Sequence, residues 1–368
     1  MSQWLDYVKF GSGKNGSPAV SGVINTYATC TGTATQLSLT TALSASAGNV
    51  ILIHQSQGTG AGQWEINYVL ADAGATLTLA YPLAYTYGTG AQCVLVPQYT
   101  SGTISGAITP TNWNGSVGGI VALMSSGDLT LSGSIDVSGS GFRRSGNAVA
   151  DSTYIGLQGE GTVGAGGTRS SSANGNGGGG GGKGTGDNHI PGGGGAGGGN
   201  ASVGTSGSNT VGAVNGTVGT VSGNADLTLT TFGGAGGSGG PSQVFIGVAG
   251  YSGGAGGGIV LIFAKSFTLT GTITLGGVTA TVPDAGVGAG AGGAGGSCLI
   301  KCQTASLGAN KITALPGLGA TATYSNGGNG SVGRIHTDYF SGITGTSNPT
   351  LTSTQVANLK STVYSSMI

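Results

Sequence analysis

The sequence predicts an all-β protein: an N-terminal antiparallel β domain, then stacked β rungs in a β-helix-like solenoid interrupted by long glycine-rich excursions. Three observations predict it. Glycine supplies 82 of 368 residues, about three times the usual level of about 7%. The apolar residues fall into short β-branched or aromatic runs bounded by Gly, Pro or Ala-Asp, with no sustained helical periodicity. A unit of about 20 residues recurs, and recurrence at such a period marks a solenoid. Charged residues make up 6% of the chain and the net charge is zero, which gives no electrostatic footprint for nucleic acid or an anionic membrane. Disordered chains pair low hydrophobicity with high net charge. This chain has a mean hydropathy of +0.18 and does not fit that class.

The elements follow in order. Residues 1–19 read as an N-terminal arm without the basic and apolar regions of a signal peptide. Residues 20–115 read as a β domain of five or six mostly antiparallel strands, including "TQLSLTTAL", "NVILIHQS", "QWEINYVLA", "ATLTLAYPL" and "QCVLVPQY". Residues 116–345 read as rungs. "GGIVALMSSGDLTLSGSIDVSG" (118–139) aligns with "GGIVLIFAKSFTLTGTITLGG" (257–277) after one inserted residue. "GGSCLIKCQTASLGANKITALPG" (295–317) keeps the outline, and "GSVGRIHTDYFSGITG" (330–345) is a shortened copy. Each has a glycine start, an apolar strand, a break and a second strand. Stacking would set Ile120, Leu123, Leu129, Leu131 and Ile135 over Ile259, Ile262, Phe267, Leu269 and Ile273. The excursions, 140–255, 277–295 and 317–330, leave and return at equivalent places, so they should lie side by side on one flank. Residues 346–368 form a tail. Val356, Leu359 and Val363 suggest a helix over Thr354–Tyr364. No run of about 18 apolar residues predicts a membrane span.

The run "ANGNGGGGGGKGTGDNHIPGGGGAGGGN" (173–200) admits three readings. A phosphate loop needs Ser or Thr after its Gly-Lys pair. Gly184 follows Lys183, no strand precedes the run and no amphipathic helix follows it. A strict G-X-Y period is absent, which excludes a collagen helix. A flexible linker and a laterally bonded bundle of three-per-turn glycine helices are left. Ordering a residue costs about 1–2 kcal/mol of backbone entropy, and a single net hydrogen bond returns about 0.5–1.5. One glycine strand cannot stay ordered alone, but several packed together can. Recurrence in register with the rungs favours the bundle. Its expected members include Gly177, Gly178, Gly179, Gly180, Gly181, Gly182, Gly192, Gly193, Gly194 and Gly195.

The stretches "NVILIHQSQGTGAGQWEINYV", "TNWNGSVGGIVALMSSGDLTLSGSIDVSGSGFR", "GNGGGGGGKGTGD", "GGGIVLIFAKSFTLTGTI" and "NGSVGRIHTDY" span most of residues 45–345. In them the chain resembles glycine-rich tail-fibre and receptor-binding proteins of bacteriophages. It is also similar to glycine-rich surface proteins of small host-dependent bacterial lineages. Tip adhesins of T-even-like phages also carry glycine-helix bundles, with a different chain pattern. The resemblance implies a virion or cell-surface role rather than a reaction.

The residues point the same way. His54, His189 and His336 stand far apart, and no HExxH, nucleophile elbow or zinc-type Cys spacing occurs. No catalytic residue, cofactor or metal is therefore expected. Asp128 and Asp136 flank one strand and would be the acid pair of a polysaccharide-cleaving β-helix enzyme, or simply turn residues. Asp187, Asn188 and His189, between two glycine tracts, are candidate receptor contacts, as are Arg143, Arg144 and Arg169 on the first excursion. Tyr81, Tyr85 and Tyr87, with Trp64 and Tyr68, would stack on sugars or pack a core. Asn15, Asn114, Asn215 and Asn329 open N-G-[ST] sequons that read better as turns. Cys30 and Cys93 are free thiols or a disulfide. On one strand Cys298 and Cys302 would stand about 13 Å apart, beyond the roughly 7 Å a disulfide allows. The expected function is non-enzymatic adhesion or structure on a virion, with self-association as a trimer or polymer. A cell-surface polysaccharide or outer-surface protein is the expected partner. A bacterial filament or surface-layer subunit is the alternative.

Overall fold

Alternating apolar residues close the first strands into a barrel. The computed structural model describes residues 9–149, 153–182, 192–210, 212–242, 248–281 and 287–359. Strands β1 (Thr26–Thr33), β2 (Gln36–Leu39), β3 (Val50–Gln55), β4 (Trp64–Asp72), β5 (Thr76–Leu79) and β6 (Tyr87–Val96) form a closed antiparallel barrel in the order β1-β2-β5-β4-β3-β6. Its interior holds Cys30, Leu37, Ile51, Ile53, Leu77 and Cys93 among others. Strand β3 is buried along its whole length, because Val50 and Leu52 on its outer face pack against the rungs. A strand covered on both faces loses its polar alternation, which is why "VILI" reads as a continuous apolar run.

The chain then winds through parallel rungs. The first comprises β7 (Gln98–Tyr99), β8 (Gly102–Ile104) and β9 (Ala107–Ile108). Next come β10 (Ile120–Leu131) with β11 (Ser134–Asp136), and β13 (Ile259–Leu269) with β14 (Thr272–Thr274). They are followed by β15 (Ser297–Ser306) with β16 (Ile312–Thr313), β18 (Arg334–Thr344) with β19 (Ser347–Asn348), and β20 (Thr352–Gln355), while the short strands β12 (Ser208–Asn209) and β17 (Ser325–Asn326) lie outside the rungs and pair with each other. The pairing stacks Ile120 on Ile259, Leu123 on Ile262, Leu129 on Phe267 and Leu131 on Leu269, and Ile135 on Ile273. All five pairs agree with the sequence alignment. The inserted residue appears as a register shift between Ser125 and Asp128. Four of the pairs lie in the solenoid core, whereas Ile120 and Ile259 face the barrel.

The first three rungs turn sharply at Gly106, Gly133 and Gly271, and the reason is contact. A Cβ on Gly133 would collide with the carbonyl of Gly106, and one on Gly271 with the carbonyl of Gly133. The corner carbonyl of one rung occupies the place of a side chain on the next. The edge of the first rung is covered by the chain before the barrel. Asn15 N–H donates to the Gln98 carbonyl at 2.8 Å, Thr100 N–H to Gly16 at 2.8 Å and Gly22 N–H to Ala107 at 2.7 Å.

The tail departs from expectation. Thr354 and Gln355 lie in β20, paired with the edge of β18 through His336–Thr352 and Tyr339–Gln355, and a single 3-10 turn follows at Ala357–Leu359. An open sheet edge outcompetes the weak helical spacing, since tertiary pairing overrides local propensity. The rest of the expected helix lies outside the described residues.

Candidate functional site

The glycine tracts bond to one another with a period of three. Within 193–199, Gly193, Ala196 and Gly199 donate to the carbonyls of Gly182, Gly179 and Asn176. Gly195 and Gly198 donate to Ala289 and Gly292, and Gly197 to Thr205. The carbonyls of the same tract accept from Gly234, Gly237 and Gly240, from Gly216 and Gly219, and from Gly328 and Ser331. One tract thus has six neighbours, and five of them are met at steps of three residues. That is the pattern of an extended helix with three residues per turn and no internal hydrogen bonds. The tract 288–296 is surrounded in the same way, by 234–240, 328–331, 275–278, 251–257, 195–198 and 317–320.

Glycine here serves close approach rather than unusual dihedrals. No glycine of 177–182 or 192–199 has positive φ. A Cβ on Gly192, Gly193, Gly194 or Gly195 would lie well inside contact with the carbonyls of Gly240, Val214, Asn326 or Gly237. The same holds for Gly177 to Gly181, against carbonyl or backbone atoms of Gly159, Ala196, Ser171, Gly156 and Gly193. Gly182 differs: its nearest neighbour would be Ile155 Cγ1 at 3.7 Å, ordinary contact. The amides of Gly178 to Gly182 donate to Ala235, Thr217, Ser170, Ser238 and Val214, so none is left to cradle a phosphate.

The bundle has a fixed end and a free end. At the fixed end, His54 Nε2–H donates to the Thr230 carbonyl at 2.8 Å, and Ser56 donates to His54 Nδ1 at 2.9 Å. Gln92 in turn donates to Ser56 at 2.9 Å. His54 is fully buried, and burial pushes its pKa down to about 4. Trp64 Nε1–H donates to Leu227 at 2.9 Å. Glu160, 1% exposed, accepts from Gln57 at 3.2 Å and from Arg143 Nε and Nη2 at 3.0 Å. Barrel, bundle and rungs therefore meet along a hydrogen-bonded polar seam.

At the opposite end Gly182 meets Gly193, Gly193 meets Gly240, and Gly240 meets Gly288. Ala148 pairs with Gly250, Gly156 with Gly181 and Ala320 with Gly290. These contacts gather there the residues that flank the connections between successive tracts. Exposed Val149, Val214, Val248 and Tyr324 stand at this end, with half-buried Tyr154 and Tyr251. Tyr154 holds φ at +55°, a left-handed value that costs a bulky residue about 1–3 kcal/mol and is typical of functional sites.

The sequence candidates scatter. Asp187, Asn188 and His189 lie outside the described residues. Arg143 sits at the fixed end on Glu160, and Arg144 is exposed one residue on. Arg169 is at the free end, where its guanidinium donates to the carbonyls of Ile155 and Val149. Tyr87 and Tyr68 are buried, and Tyr81 packs on the barrel–sheet core. Asp128 accepts from Ser266 at 2.8 Å. Asp136 accepts from Ser138 N–H at 2.9 Å and Thr274 at 2.7 Å. Burial alone would raise the Asp136 pKa, but the bonds from Ser138 and Thr274 hold it below the usual range, the wrong direction for a general acid. Asn15, Asn114, Asn215 and Asn329 each accept backbone N–H groups. All four cysteines are free and buried, so Cys30 and Cys93 are thiols. Among the described residues no group of three His, Cys, Asp or Glu side chains could hold a metal, and no helix is long and apolar enough to cross a membrane. Sequence reasoning passed over Tyr154, Tyr251 and Tyr324. The available signal was three lone tyrosines inside tracts with few large side chains.

No protein-family model matches the chain, and no curated protein matches it. Among solved structures it is similar to the tailspike protein gp49 from Pseudomonas phage LKA1, at 12% identity and a TM-score of 0.18. That match covers 91% of this chain and 64% of the tailspike, so the chain spans less than two thirds of the tailspike's length. A likeness of that size implies neither a shared fold nor a shared function.

Proposed function

We propose that the protein is a non-enzymatic adhesin of a virion, a tail-fibre or receptor-binding component that meets its receptor with the free end of the glycine bundle. The observation that carries this reading is the polarity of the bundle. One end is locked to barrel and rungs by buried hydrogen bonds, and the other gathers the tract ends away from them. Loops on a rigid scaffold are where binding residues concentrate. A close-packed glycine lattice is such a scaffold, because its order rests on backbone bonds and leaves the connections free to vary. Tyrosine suits the task, since it offers a large apolar face with a polar tip at little entropic cost.

The covered edge of the first rung supports the adhesin over an endless filament. A stack growing head to tail through rung edges needs both edges open, and residues 15–22 occupy one. The carboxylates Asp128 and Asp136 are engaged within their own ladders, which supports a chain without hydrolytic activity. The test is adsorption. Labelled protein should stain the surface of its target bacterium, and replacing Tyr154, Tyr251 and Tyr324 together by Ala should remove the staining while the variant still folds and melts cooperatively. Undiminished staining by a well-folded triple variant would place the receptor site elsewhere.

A further inference from the structure

We propose that the seam between barrel and bundle holds a binding site for one neutral sugar unit, distinct from the free end. A cavity of about 510 Å³ opens there between the barrel turn at 58–61 and the bundle turns at 162–163 and 221–223. The volume lies within the range of small-ligand sites. Junctions between domains are where such sites occur.

The lining decides the chemistry. It contains no ionisable side chain. Thr59, Thr162, Ser222 and Thr231 line it together with Val163 and Val221, which are 69% and 50% exposed. The two buried-side hydroxyls are not fully engaged. Ser222 Oγ and Thr231 Oγ1 lie 2.7 Å apart. A bond between them uses one of their two protons, whichever donates. Asn176 Nδ2 also donates to Ser222 Oγ, at 3.1 Å, which occupies a lone pair and not a proton. One O–H proton of the pair therefore lacks a protein acceptor and is available to the cavity. Thr231 is 2% exposed and Ser222 half-buried, so the pair sits at the floor of the cavity.

A pyranose meets these demands. Its ring and hydroxyl oxygens accept the floor proton, its C–H face lies on the valine side chains, and its other hydroxyls reach Thr59 and Thr162. A uronate does not fit, because no cation in the lining would offset its buried charge.

Saturation-transfer NMR of the full chain tests this with D-glucose, D-galactose, D-mannose and N-acetyl-D-glucosamine, with D-glucuronate as the charged control. At least one neutral sugar should receive saturation, and glucuronate should not. Thr231→Val, which removes the floor hydroxyl, should weaken the signal about tenfold. Val163→Asp should do the same, and its exposure keeps the fold intact should Thr231→Val fail to fold. Tyr251→Ala, at the free end, should leave the signal unchanged. No transfer to any neutral sugar, transfer unaffected by Val163→Asp, or transfer lost in Tyr251→Ala would each overturn the site.

Discussion

His54 is neutral because it is sealed between Ser56 and the Thr230 carbonyl, and this has a consequence in pH. Its folded pKa of about 4 lies below the ordinary 6.5. Above about pH 6.5 neither state binds the proton and the stability is full. As the pH falls from 6.5 towards 4, the unfolded chain takes up a proton that the folded chain refuses. Stability should drop across that window, by an amount on the order of 3 kcal/mol. Denaturant melts at pH 7 and pH 4.5 check it, and His54→Gln should flatten the His54 part of the slope. The glycines give a sharper contrast. Gly198→Ala would drive a methyl into the Gly234 carbonyl, whereas Gly182→Ala meets only ordinary contacts. Overpacking costs about 1–3 kcal/mol, and about 1 kcal/mol moves the midpoint roughly 2–4 °C in large domains. Gly198→Ala should melt lower by several degrees and Gly182→Ala within a degree of the parent. Equal melts would mean that close packing does not hold the tract.

At the scale of elements, the rungs were legible because the repeat states its own register. One inserted residue in the 118–139 copy became one register shift, and five apolar pairs stacked as aligned. The first rung was missed although its signal was present. "TISGAI" at 103–108 has the outline of "TLSGSI" at 130–135, and the structure pairs Thr103 with Thr130 and Ile108 with Ile135. Its strands are two or three residues long and lack a Gly-Gly start, so no local pattern stood out. The tail strand β20 was hidden for a different reason: Thr-Ser-Thr-Gln has weak preferences, and a partner distant in sequence decides its conformation. The free-end tyrosines could not be grouped from sequence, because antiparallel tract pairing alone brings Tyr154, Tyr251 and Tyr324 to one end. The ladder also makes a stability prediction. Phe267→Ala removes a core ring stacked on Leu129 and should cost about 3–5 kcal/mol. Its outward neighbour Thr268→Ala should change stability by less than about 0.5 kcal/mol. Urea midpoints of the two variants separate them.

The whole molecule is a barrel and a rung stack that together anchor a bundle of backbone. Strand β20 ends the sheet opposite the covered edge, and all four of its residues are exposed. With charges at 6% of the chain, little discourages pairing there. We therefore expect a self-limited oligomer, and light scattering at micromolar concentration should exceed the 35.0 kDa of one chain. The central claim is that glycine tracts with almost no side chains form an ordered lattice with six neighbours around its inner members. Hydrogen exchange of the peptide spanning 192–200, followed by mass spectrometry at neutral pH, tests it most directly. A lattice in which Gly195, Ala196, Gly197, Gly198 and Gly199 all donate to neighbouring tracts predicts protection as long-lived as that of β13. Exchange complete within seconds, at the rate of an unstructured glycine linker, would contradict it.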